Sequence, residues 1–130
     1  MIAHRDYFYR MASAYLDAAE WADWPSDEEG NEEGDSWARE ACASADAAVR
    51  ECLNMIISDD DDRDIESVLV SADIGPESAG HDLWLTRNRH GTGFWDRGYD
   101  DDVAKILTDA AHSMGGSDPY IGDDGLCYLA

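Results

Sequence analysis

The stretch GHDLWLTRNRHGTGFWDRG, residues 80–98, decides the fold. It gathers two histidines, two aspartates, three arginines, two tryptophans and a phenylalanine in a chain otherwise rich in alanine and aspartate. Two runs of strand-forming residues, DLWLTR and TGFWDR, flank Asn88-Arg89-His90-Gly91. That pattern predicts a β-hairpin over 82–97. With a four-residue turn, Trp84 faces Trp95 and Leu85 faces Phe94, pairs worth about 0.2–1 kcal/mol each. His81 then lies at the open end and His90 at the turn, about 25 Å apart by strand rise.

Working outward, residues 5–22 read as a helix, with Phe8, Ala12, Tyr15, Ala19 and Ala22 on one face. Trp24-Pro25 ends it, because a residue before proline is pushed out of the helical region. A second helix is expected over 37–57, capped by Asp35 or Ser36, with alanines that let the first helix approach closely. IESVLVSAD, after the acidic run SDDDDRD, reads as a short helix, and GPESAG as a loop. Residues 100–114 give an amphipathic helix with Val103, Ile106, Leu107, Ala110, Ala111 and Met114 on one stripe. Asp100, Asp101 and Asp102 sit at its positive N-terminal end, and Gly115-Gly116 stops it. PYIGDDGLCYLA, 119–130, is a second hairpin turning at Asp124-Gly125. The expected architecture is one α+β domain spanning 1–130. Two N-terminal helices pack on a small antiparallel sheet of two β-hairpins with an intervening helix, and acidic loops lie at 25–36 and 58–64.

The chain carries 30 Asp and Glu against 9 Lys and Arg, a formal net charge of −21. Such a charge repels nucleic acid and anionic membranes over most of the surface and favours basic partners. Selected mimicry of a polyanion, a high-GC genome and adaptation to high salt are three sources of this bias. Cys42, Cys52 and Cys127 follow no metal-ligand spacing and read as reduced core thiols. MIAHRDYFYR lacks the apolar core of a signal peptide, and no apolar run reaches 18 residues.

Within 80–98, His81, Asp82, His90 and Asp96 are residue types that bind metals or move protons. Their hairpin separation argues against a shared metal, and no recognised catalytic or metal motif occurs. No catalytic residue, metal ligand or cofactor is therefore assigned. Arg87, Arg89 and Arg97 with Trp84, Phe94 and Trp95 form a basic, aromatic island of the kind that stacks bases. The bland reading pairs those arginines with carboxylates and gives Asn88 to the turn. Exposed Trp and Arg also anchor protein interfaces, which makes Trp84, Arg87, Asn88, His90, Trp95 and Arg97 one candidate binding set. A second set is acidic: Asp27, Glu28, Glu29, Glu32 and Glu33, then Asp59, Asp60, Asp61 and Asp62, then Asp100, Asp101 and Asp102.

The runs AGHDLWLTRNRHGTGFWDRG, LTDAAHSMG and YIGDDG resemble a group of small bacteriophage proteins. Their typical form is AGHDFWLTRNGHGAGFWDRG, then LTxAAxxFG, then LYVGDDG. YLDAAEWADWPSDEEG is similar to the amphipathic opening and acidic loop of that group, so the likeness spans most of the chain. Leu83 stands for an aromatic residue, Arg89 for a turn glycine and Met114 for an aromatic residue. The resemblance implies a phage origin and life in the cytoplasm of an infected bacterium, and implies no activity. With the charge, it leads to an expected phage accessory protein. Such a protein binds a host nucleic-acid-binding protein through acidic surface, as an anti-restriction or anti-CRISPR DNA mimic does. A small metal-dependent enzyme or nucleic-acid-associated factor built on 81–97, and a virion or assembly component, are the alternatives.

Overall fold

Alanine-rich helices pack closely, and the core of this protein follows from that property. The computed structural model describes residues 3–27, 29–58 and 63–130. The order is α1 (His4–Asp23), α2 (Arg39–Leu53), β1 (Ile56–Ser58), β2 (Arg63–Asp64), α3 (Ile65–Ser71), α4 (Pro76–Arg87), a 3-10 turn (Phe94–Asp96), α5 (Asp101–Ser113), β3 (Pro119–Ile121) and β4 (Cys127–Leu129). The α+β class holds, with two antiparallel two-stranded sheets, β1–β2 and β3–β4.

α1 packs most extensively against α4 and also against α2. Tyr7, Phe8, Met11, Ala12, Tyr15 and Ala19 form its buried stripe. α5 lies on α4 and the 3-10 turn, and α2 packs on β4. α4 crosses α1 closely at Gly80. A Cβ there would lie 2.2 Å from the Met11 carbonyl oxygen and 2.9 Å from both the Ala14 Cβ and the Tyr15 backbone nitrogen. Only hydrogen fits between two main chains at that distance. Gly80→Ala is expected to lower stability by about 1–3 kcal/mol, overpacking exceeding the gain in helix propensity. Chemical denaturation should show a lower midpoint with an unchanged slope.

The hairpin expected over 82–97 is not formed. Residues 76–87 are helix α4, and 94–96 are a 3-10 turn. The reason lies in burial. Asp82, Leu83, Trp84, Leu85 and Thr86 are consecutive and all buried, because α4 runs between α1 and α5. A helix covered on several sides has no polar face, so its apolar residues show no 3.6-residue period. A short apolar run of this kind is compatible with strand or buried helix. GPESAG, expected as loop, holds the helix start: Gly75 is the N-cap, Pro76 occupies the first turn, and Glu77 follows.

α2 is shorter than expected. It begins after Ala38 with no side-chain cap, so neither Asp35 nor Ser36 caps it. It stops at Asn54, and the β-branched Ile56 and Ile57 enter strand β1 instead. The short helix read in IESVLVSAD is α3, whose N-cap Asp64 accepts from the Ser67 backbone N–H. The 119–130 hairpin pairs Pro119 with Leu129, Tyr120 with Tyr128 and Ile121 with Cys127. Gly125 supplies the left-handed conformation its turn needs, at φ +83°. Cys52 and Cys127 are buried thiols, but Cys42 is exposed and not part of the core. Burial pushes the Cys52 thiol up to about 12.

Candidate functional site

The 80–98 window contacts α1 and α5, and several of its polar groups bond to other parts of the chain. Trp84 is fully buried, edge-on to Tyr15 at 5.2 Å. Its indole N–H donates to Asp23 Oδ2 at 2.6 Å. His90 Nε2 meets the same oxygen at 2.6 Å. Asp23, at the end of α1, thus ties the interior of α4 to the loop after it. Arg87 reaches across to the end of α5. Its Nε donates to the Gly115 carbonyl at 2.8 Å, Nη2 to the Met114 carbonyl at 3.2 Å and Nη1 to the Tyr15 hydroxyl at 2.9 Å. A cation over the last carbonyls of a helix is favourable. Asn88 closes the arrangement. Its Nδ2 donates to the Trp84 carbonyl at 3.0 Å, and its Oδ1 accepts from the Ser117 backbone N–H at 2.8 Å.

Arg97 makes three contacts with buried Asp82, Nε to both carboxylate oxygens at 3.1 and 3.2 Å and Nη2 to Oδ1 at 2.8 Å. Those bonds raise the pKa of the guanidinium further above its ordinary value. Asp96 accepts from the Gly93 backbone N–H at 3.1 Å and the Thr92 hydroxyl at 2.9 Å, which holds its carboxyl below the usual range. Gly93 has φ +157°, and a Cβ there would sit 2.1 Å from Thr86 Oγ1.

Of the hairpin binding set, then, Trp84 is core, and Arg87, Asn88 and Arg97 are tied to other parts of the chain. Trp95, His90 and Arg97 remain exposed, but His90 is held by Asp23 and Arg97 by Asp82. The basic, aromatic island is not assembled, because Trp84 and Phe94 are buried and Arg87 is turned to backbone carbonyls. Nor do His81, Asp82, His90 and Asp96 share a site. Asp82 belongs to Arg97, His90 to Asp23 and Asp96 to its own turn, while His81 lines a surface groove. Among the described residues, no three His, Cys, Asp or Glu side chains are grouped as a metal site requires.

Arg89 has φ +56°, a left-handed conformation that glycine adopts freely. Arg89→Gly is expected to stabilise the fold by up to about 1 kcal/mol, the left-handed strain exceeding the entropy cost of glycine. Thermal melting should show a small rise.

Two features were missed in the sequence. Trp21 is 83% exposed, the most open large hydrophobic side chain among the described residues. It borders a groove of about 470 Å³ with Ala18, His81, Leu85, Thr92 and Arg97. Its position off the Phe8–Tyr15 stripe was the available signal. The second is how the acidic loop is held. Trp24 Nε1 donates to the Glu33 carbonyl at 2.8 Å. Asp35 N donates to the Gly125 carbonyl at 3.0 Å, in the β3–β4 turn. Asp27 closes its own turn by accepting from the backbone N–H groups of Glu29 and Asn31, which lowers its pKa. The described residues of the segment are thus tied down at several points, with Trp24 beside them packing edge-on against Trp37.

The loop and the hairpin turn therefore meet. Glu29, Glu32, Glu33, Asp35, Asp123 and Asp124 are all exposed on these joined segments. None of the six forms an ion pair among the described residues. Asp100, Asp101 and Asp102 form a separate exposed group at the start of α5. Glu28 and Asp59 to Asp62 lie outside the described residues. No described helix is long and apolar enough to cross a membrane. Compared with protein families, with curated proteins and with solved structures, the chain matches none.

Proposed function

We propose that this is a bacteriophage accessory protein acting in the cytoplasm of an infected bacterium. It binds a host protein that itself holds nucleic acid, and it does so through acidic surface, in the manner of an anti-restriction or anti-CRISPR DNA mimic. One observation carries the reading. The acidic loop and the turn at 122–125 are hydrogen-bonded together through Asp35 and Gly125, so six exposed carboxylates that form no ion pair among the described residues lie on joined segments. Fixed negative charge attracts a cationic phosphate-binding channel at long range and loses strength with added salt. The sequence likeness to phage proteins supports the setting. Asp82, His90 and Asp96 each bond to a different group of the chain, which supports this reading over an enzyme built on 81–97.

Low-salt capture from host lysate with the immobilised protein tests the proposal. A nucleic-acid-binding protein should be retained and released by high salt. Neutralising Glu32, Glu33, Asp123 and Asp124 to their amides should weaken retention at least tenfold while leaving the melting temperature within a few degrees. A retained partner indifferent to those four changes, or no nucleic-acid-binding partner at all, would sink the reading.

A further inference from the structure

The few cations of this chain are not spread evenly. His4, Arg5 and Arg50 line one pocket of about 270 Å³ with Phe8, Tyr9, Leu53 and Asn54. The first two turns of α1 supply one wall and the end of α2 the other. Phe8 and Leu53 are buried and form the apolar base. The Arg50 guanidinium carbon sits 4.8 Å above the Phe8 ring centroid, and that of Arg5 lies 5.7 Å from the Tyr9 ring. The two rings touch edge-on at 5.4 Å.

Both guanidiniums thus lie over aromatic rings, within cation–π distance. Carboxylates outnumber cations by 30 to 9, so each arginine has ample acidic partners to choose from. Neither Arg5 nor Arg50 forms an ion pair among the described residues. Glu66, the carboxylate nearest this pocket's histidine, is taken by His4 Nδ1 at 2.6 Å. A stacked guanidinium keeps its edge N–H groups free to donate in a planar fork.

We propose that this pocket binds a small phosphate-bearing molecule. Two guanidiniums match the double charge of a phosphate better than the single charge of a carboxylate. The volume lies near the lower end of ligand pockets, which begin at about 300 Å³. The net charge of −21 limits the ligand to a small one. A nucleic acid strand would carry its remaining phosphates along an acidic surface, whereas a small anion stays within the screening length of about 8 Å.

Isothermal titration of the whole chain with inorganic phosphate, pyrophosphate and AMP tests this. At least one should bind saturably with one site per chain. Binding of inorganic phosphate marks a site for the bare anion, and binding of AMP alone marks a nucleotide whose base stacks on Tyr9. Arg5→Gln and Arg50→Gln should each weaken binding about tenfold or more, since a charge-assisted hydrogen bond is lost. Arg50→Lys should weaken it several-fold by losing the fork, and Arg39→Gln should leave it unchanged. Both pocket arginines are exposed, and melting curves check that each variant folds. If one does not, the other decides. No saturable binding of any of the three probes, or binding indifferent to Arg5→Gln and Arg50→Gln, overturns the proposal.

Discussion

Trp84→Ala is expected to cost about 3–5 kcal/mol, the usual penalty for emptying a fully buried tryptophan site. Small domains hold only about 5–15 kcal/mol of stability, so much of the total would be lost. The melting temperature should fall by about 10–20 °C. Trp84 has no exposed surface, packs edge-on to Tyr15 and donates to Asp23. Trp84→Phe keeps most of the ring but removes the donor, and should cost about 1–2 kcal/mol. Circular dichroism melts of the two variants separate packing from hydrogen bonding. A binding residue would behave otherwise, with stability preserved and partner affinity lost. An alanine variant that melts like the parent would remove Trp84 from the core.

Arg97→Ala should rank next, at about 2–4 kcal/mol, because it leaves a buried carboxylate without its counter-charge. Asp82 has only 3% of its side chain exposed, and Arg97 supplies three of its contacts. The figure sits below the usual range for a buried pair because the Arg97 side chain is 40% exposed, and water can partly replace it. A double-mutant cycle tests the cause. With Asp82→Asn already present, Arg97→Ala should cost under about 1 kcal/mol, since no buried charge remains to be orphaned. Additive costs would mean that Arg97 stabilises through packing of its stem instead.

Both predictions rest on reading 80–98 as an internal joint, and that was not legible from residue pattern. α5 was legible because one face of it stays in water, so Val103, Ile106, Leu107 and Ala111 recur at helical spacing. The β3–β4 hairpin was legible because Asp124-Gly125 announces a tight turn. α4 was not, because it is covered on several sides and Leu83-Trp84-Leu85 carries no period. Its start signal, Pro76 followed by Glu77, was present but looked like loop chemistry. The arginines illustrate a second limit. Composition says that Arg87 and Arg97 can hold phosphates or carboxylates, but not that one caps α5 and the other neutralises Asp82. Direction depends on which helix lies opposite, and that is a tertiary fact. The acidic loop shows the same limit in reverse. SDEEGNEEGD contains no apolar residue, and its described residues are held by Trp24 beside them and Gly125 far along the chain.

The proposed partner would lose its nucleic acid to the joined acidic surface of this protein. Equilibrium competition measures this most directly, with the captured partner, labelled duplex DNA and increasing amounts of this protein at fixed salt. The protein is expected to displace the DNA completely, with mutually exclusive binding. Amide substitution at Glu32, Glu33, Asp123 and Asp124 should shift the displacement curve to higher concentration. A ternary complex, in which partner, DNA and this protein bind together without loss of affinity, would contradict the proposal.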